Sequence, residues 1–246
     1  MYPSSRWFVF VLLIFLVSCK KPAEYPPAEE GVRKTYYPDG KLHKEITFKN
    51  GAKNGVSKEY YSNGNVFQEV MYANNLREGL AKRYFENGIL SQETPYENDK
   101  MHGVQKKYRR TGELMAEIPY HEDNACIGLK EYTIDGKLKK RYPSIVVTPV
   151  DRIILDGSYT LEIRLSDGTK GDVEYFQGNL TDGKYIDPVT SKRILVVRDG
   201  VGKIVYRLPA GGFLMEEITI VAKMKTVQAN YYITQTRYHL AVENRF

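Results

Sequence analysis

Cysteine, histidine and tryptophan are all scarce in this chain. Its 246 residues include two cysteines, four histidines and one tryptophan. The cysteines are Cys19, near the start, and Cys126; once Cys19 is set aside with the leader, no intrachain disulfide is possible. Cys126 reads as a small buried apolar residue. His43, His102, His121 and His239 have no second His or Cys at metal-ligand spacing, which argues against a zinc site. His121-Glu122-Asp123 reads as a solvated turn, and Asp182, Asp187 and Asp199 lack the spacing of an EF-hand loop. There is no phosphate-binding glycine loop and no nucleophile elbow. Gly200-Val201-Gly202 has no helical pattern after it and reads as a turn. An envelope enzyme such as a glycan hydrolase would need paired carboxylates in a cleft, an arrangement that spacing does not display. The expectation is a non-enzyme with no cofactor, no metal and no catalytic residues. The formal charge is only +6, with acids and bases interspersed, which does not favour a nucleic-acid partner.

Long apolar runs are also rare. The notable one is Trp7–Val17, eleven residues behind Arg6, too short to span a bilayer but suited to a signal-peptide core. It ends in Leu16-Val17-Ser18-Cys19, which resembles a bacterial lipobox. That resemblance implies a signal peptide over residues 1–18, cleavage before Cys19, and acyl chains on Cys19 that hold the protein to a membrane. Residues 19–30, rich in proline and charge, read as an extended tether. Lys20 is not the aspartate that retains enterobacterial lipoproteins in the inner membrane, so the resemblance implies the outer membrane of a bacterial envelope.

What the chain has in abundance is tyrosine, with 20 copies against 9 phenylalanines. Tyr36, Tyr60, Tyr84, Tyr108 and Tyr132 lie 24 residues apart. Gly40, Gly64, Gly88, Gly112 and Gly136 keep the same phase, as do Leu42, Val66, Leu90, Leu114 and Leu138. Two charged columns accompany them: Lys34, Lys58, Lys82, Lys106 and Lys130, and Glu45, Glu69, Glu93 and Glu117. Such phasing marks a repeat array, and within it period-two alternation bounded by Asn-Gly marks strands and tight turns. Two hairpin loops fit the turn sequences: a two-residue type I′ loop, or a three-residue loop with glycine left-handed. The three-residue loop sets Tyr36 opposite Leu42 and Val32 opposite Ile46, gathering apolar side chains on one face, and is the one expected. That reading puts the tyrosines on the packed face. It leaves recognition to the opposite face and the turns, where the copies differ: His43, Phe67, Ser91, Met115 and Lys139. A second turn recurs before Gly55, Gly79 and Gly103, and the late Gly128 suggests a bulge beside Cys126.

Residues 31 to about 142 resemble the bacterial variant of the MORN-repeat family, with its Tyr-x-x-[Asn/Asp]-Gly-x-Leu signature. The resemblance implies a long antiparallel meander of one hairpin per repeat, and a binding or assembly role. Many bacterial relatives carry an "antitoxin" label, which offers a toxin-binding or immunity role as the alternative. The expected partner is a protein or an envelope polymer.

The array is assigned to residues 31–143, ending at Tyr142-Pro143-Ser144. Residues 144–246 carry seven strand candidates: 144–150, 159–165, 173–176, 193–197, 203–208, 218–224 and 231–240. These read as a β-sandwich, immunoglobulin-like in strand number although the Cys…Trp…Cys hallmark is absent. The expected fold class is therefore all-β, a meander of hairpin repeats followed by a sandwich.

Overall fold

The computed structural model describes residues 30–187 and 189–246. The first half is one antiparallel sheet of 13 strands. Its eight longer strands are β1 (Gly31–Tyr36), β2 (Leu42–Lys49), β3 (Gly55–Tyr60), β4 (Val66–Ala73), β5 (Gly79–Tyr84), β6 (Leu90–Glu97), β7 (Gly103–Tyr108) and β8 (Leu114–His121). They run side by side in chain order, as a meander must. Five two-residue strands extend the second turn of each repeat and the end of the sheet.

Turn chemistry explains the hairpins. Gly40, Gly64, Gly88, Gly112 and Gly136 all have positive φ. In each loop the glycine N–H returns to a carbonyl three residues earlier, as Gly64 does to Tyr61 at 2.9 Å. This is the three-residue loop. The second turns are of the other kind. Asn74-Asn75, Asn98-Asp99 and Glu122-Asp123 hold both central residues at positive φ, the type I′ geometry. Each then docks on the repeat before it, Asn75 N–H to the Lys53 carbonyl and Asp99 N–H to the Arg77 carbonyl, both at 2.9 Å.

Register departs from simple alternation. Tyr36 does pair with Leu42, but Val32 pairs with Thr47, and Ile46 pairs with Arg33. The same shift recurs in all four hairpins, between Thr35 and Tyr36, Glu59 and Tyr60, Arg83 and Tyr84, and Lys107 and Tyr108. The unpaired residues are His43, Phe67, Ser91 and Met115. Each is a β-bulge, and an extra residue moves every later side chain to the other face. The packed face is therefore not the tyrosine face. The buried side chains of the eight longer strands are Thr94, Gln105, Ala116 and Ile118, and these share the face opposite Tyr108. The tyrosines themselves are half-buried, and Tyr36 is 60% exposed.

The second half is a sandwich of two four-stranded sheets. Its strands are β9 (Ile145–Arg152), β10 (Ser158–Leu165), β11 (Val173–Gln177), β12 (Lys192–Ile194), β13 (Val196–Val197), β14 (Val201–Arg207), β15 (Phe213–Lys225) and β16 (Tyr231–Glu243). One sheet runs β9-β10-β14-β13, the other β12-β11-β15-β16. This is the immunoglobulin order, with the fourth strand divided between the sheets. The division corrects the single strand expected over 193–197: Leu195 turns outward at 75% exposure, between Ile194 in one sheet and Val196 in the other. Leu161, Ile163 and Leu165 face Tyr175, Ile220 and Ala222 across the core. Tyr175 sits on the strand where immunoglobulins carry their tryptophan, wholly buried, and its hydroxyl donates to the Gly200 carbonyl at 3.2 Å.

The sandwich closes one end of the array. Ala125 packs among Phe176, Leu180, Ile186, Val221 and Ile233. Tyr232 stacks on Tyr142 with centroids 4.7 Å apart and covers the Ala116–Ile118–Leu129 cluster. At the irregularity beside Cys126 the chain leaves the ladder. Cys126 bridges to Tyr185, and the Ile127 N–H reaches the Lys184 carbonyl at 2.8 Å. Cys126 is 5% exposed, and burial pushes its thiol pKa up.

Candidate functional site

The array presents two chemically different faces. On the tyrosine face, each ring after Tyr36 reaches back one repeat to a glutamate. The Tyr60 hydroxyl donates to Glu45 at 2.6 Å, Tyr84 to Glu69 at 3.1 Å, Tyr108 to Glu93 at 2.8 Å and Tyr132 to Glu117 at 2.9 Å. The lysine column flanks the same carboxylates, as in Lys58–Glu69 at 3.0 Å and Lys130–Glu117 at 3.5 Å. The three conserved-phase columns thus bond to one another. They form a structural ladder.

Ionisation of this ladder has a measurable consequence. Burial, then the bond to a carboxylate, pushes the Tyr60 and Tyr108 hydroxyls up to about 12. Tyr84 is raised for the same reasons. Unfolded tyrosines ionise near about 10, so between about pH 10 and 12 the unfolded chain sheds protons that the folded chain keeps. Stability from these groups is complete below about pH 10 and is lost as pH rises through about 12. A Tyr60→Phe, Tyr84→Phe, Tyr108→Phe triple variant should show a lower denaturation midpoint at neutral pH, yet lose less on transfer to pH ~11. Equal losses in variant and parent would contradict the ladder.

The opposite face holds a groove of about 210 Å³, lined by Gln68, Tyr72, Arg77, Arg83, Gln92 and Tyr96 among others. A smaller recess beside it is lined by Lys44, Ile46, Ser57 and Glu59. Amide and hydroxyl groups dominate. Gln68 Nε2 donates to Glu59 at 2.8 Å, and Gln92 and Gln105 both donate to Thr94 Oγ1, at 2.8 and 3.1 Å. Cations lie over the rings: the Arg77 guanidinium is 4.0 Å from the Tyr96 centroid, and Lys53 Nζ is 5.2 Å from that of Tyr72. Hydrogen bonding to Arg77 holds the Asp99 carboxyl below the usual carboxylate range. Ser57 Oγ is buried without a protein partner.

Two of the bulge residues, His43 and Phe67, contact side chains of this groove face, whereas Ser91 and Met115 make only bonds that involve the main chain. His43 Nε2 lies 3.3 Å from Glu59, and its ring is 4.4 Å from that of Tyr37. Phe67 lies beneath the Arg83 guanidinium at 5.3 Å, and Ser91 Oγ donates to the Arg83 carbonyl at 2.9 Å. The carbonyl of Met115 accepts the Tyr132 N–H at 2.9 Å. Lys139 does not join this row. It is held by buried Glu131 at 3.1 Å and by the Tyr142 ring at 4.6 Å, near the sandwich. Cys19 lies outside the described residues. Sequence reasoning passed over Tyr72, Tyr96, Gln68, Gln92 and Arg83. A second aromatic column at the same period, Phe48, Tyr72, Tyr96 and Tyr120, was the available signal. Among the described residues, no group of three or more His, Cys, Asp or Glu side chains could hold a metal ion.

No curated protein matches the chain significantly. Four segments, residues 29–50, 53–74, 77–98 and 101–122, match the family model described as the MORN repeat variant. The fifth copy, at Tyr132, Gly136 and Leu138, falls beyond those matches, where the ladder meets the sandwich. The first half of this chain therefore carries four copies of the MORN repeat variant, an all-β repeat typical of binding modules.

Proposed function

We propose that this protein is a non-catalytic binding or assembly module of the bacterial cell envelope, anchored through acyl chains on Cys19 and binding through its array. The observation that carries the reading is the polar groove on the face opposite the Tyr–Glu ladder. The ladder commits its glutamates and tyrosine hydroxyls to one another, whereas the groove and its neighbouring recess line up amides, arginines, lysines and the Ser57 hydroxyl, which has no protein partner. Lys44, Lys53, Arg77 and Arg83 outnumber Glu59 and the Asp99 that pairs with Arg77, which favours an extended, acidic protein segment or envelope polymer. The tether of residues 19–30 would hold this face off the membrane. Site-specific crosslinking in the native envelope tests the reading, with adducts expected from Gln92 in the groove and none from Leu80 on the other face.

A further inference from the structure

We infer that the outer edge of β1 is a docking slot for an extended strand of a partner protein that carries a carboxylate opposite Lys34. The inference rests on the repeat symmetry and is independent of the groove. At each junction between repeats, a glutamate strand pairs with the lysine strand that follows: Glu45 with Lys58, Glu69 with Lys82, Glu93 with Lys106 and Glu117 with Lys130. The tyrosine two residues beyond each lysine then donates to that same glutamate. β1 is a lysine strand, Gly31-Val32-Arg33-Lys34-Thr35-Tyr36, of the same type as β3, β5 and β7. It ends the sheet, and among the described residues no glutamate strand lies on its outer side.

The slot has the exposure this predicts. Every residue of β1 is exposed, with Val32 at 56%. Among the described residues, Tyr36 has no carboxylate acceptor of the kind its four counterparts have. At the repeat's own spacing, the upstream sequence does not supply one. The glutamate stands thirteen residues before the lysine in every copy, and thirteen before Lys34 stands Lys21, a like charge. A second β1 in antiparallel pairing would likewise set Arg33 and Lys34 against basic residues. Lys34 keeps its inner partner Glu45 at 3.9 Å, and a strand with an acidic residue in register gives it the outer carboxylate, and Tyr36 the acceptor, that the fold gives their copies, while main-chain bonds supply sequence-independent affinity.

A fluorescent peptide of residues 62–73, which contains a glutamate strand with Glu69, is a suitable probe for the full-length protein in detergent. Saturable binding is expected by anisotropy. Lys34→Glu should weaken it about tenfold, through one attraction lost and one repulsion gained across the strand pair. A Glu69→Lys peptide should recover affinity for the Lys34→Glu protein, a reversal that general unfolding cannot produce. Affinity indifferent to Lys34→Glu, or no binding, would overturn the inference. So would a dimer in sedimentation that Lys34→Glu dissociates, which would give the edge to a second copy of this chain.

Discussion

Glu131→Ala is expected to destabilise the protein by about 3–5 kcal/mol and to split its unfolding into two transitions. Glu131 is 1% exposed at the junction of array and sandwich. Its carboxylate accepts from the Thr226 hydroxyl and from Asn230 Nδ2 at 2.9 Å, and it pairs with Lys139 at 3.1 Å. Asn230 is itself 2% exposed, and its Oδ1 accepts from Lys107 Nζ at 2.8 Å. Burial pulls the Lys107 pKa down, and the charge of Glu131 opposes that pull. Alanine would leave a buried amide and hydroxyl without their acceptor and Lys107 without its counter-charge, so the loss is the desolvation cost of every partner left behind. The hairpin of residues 225–231 carries Thr226 and Asn230, so their release uncouples the two halves. Glu117→Ala, on the half-buried Tyr–Glu ladder, serves as the contrast and should cost only about 1 kcal/mol. A Glu131→Ala protein that melts in one step near the parent's temperature would show that the junction is not held this way.

Cys19→Ala is expected to abolish lipid attachment completely. Each acyl CH₂ buried in a bilayer contributes about 0.8 kcal/mol, and two chains on one cysteine exceed the reversible binding of a single chain. Nothing after residue 19 offers a comparable apolar run. Cells fed a labelled fatty acid should incorporate it into the parent and not into the variant, which should also retain the mass of residues 1–18. Fatty-acid label that persists without Cys19 would remove the anchor from the account.

Much of the array was legible because turn chemistry is local. Gly40 and its copies need left-handed backbone, which fixes the three-residue loops and the pairing of Tyr36 with Leu42. The face assignment failed for a reason equally physical. Parity assumes unbroken alternation, and one bulge residue per hairpin inverts it. The bulge carries no composition signal, since it is His, Phe, Ser and Met in turn. Residues 43, 67, 91 and 115 stood out as variable for that reason, but their role in the ladder was hidden. Glu131 was hidden more deeply. The position before each repeat tyrosine is exposed at Thr35 and Arg83 and half-buried at Glu59 and Lys107, and becomes fully buried only at Glu131, where the 225–231 hairpin lands. In the sandwich, alternation located every long strand, whereas the crossing at Leu195 depends on which sheet each flank joins.

The most direct test of the central claim is photo-crosslinking from single positions on the array in the native envelope, with the protein lipidated. Adducts at Gln92 that Arg83→Glu suppresses, with none at Leu80, are the predicted pattern. Adducts at Leu80 with none at Gln92 would place recognition on the tyrosine face and contradict it.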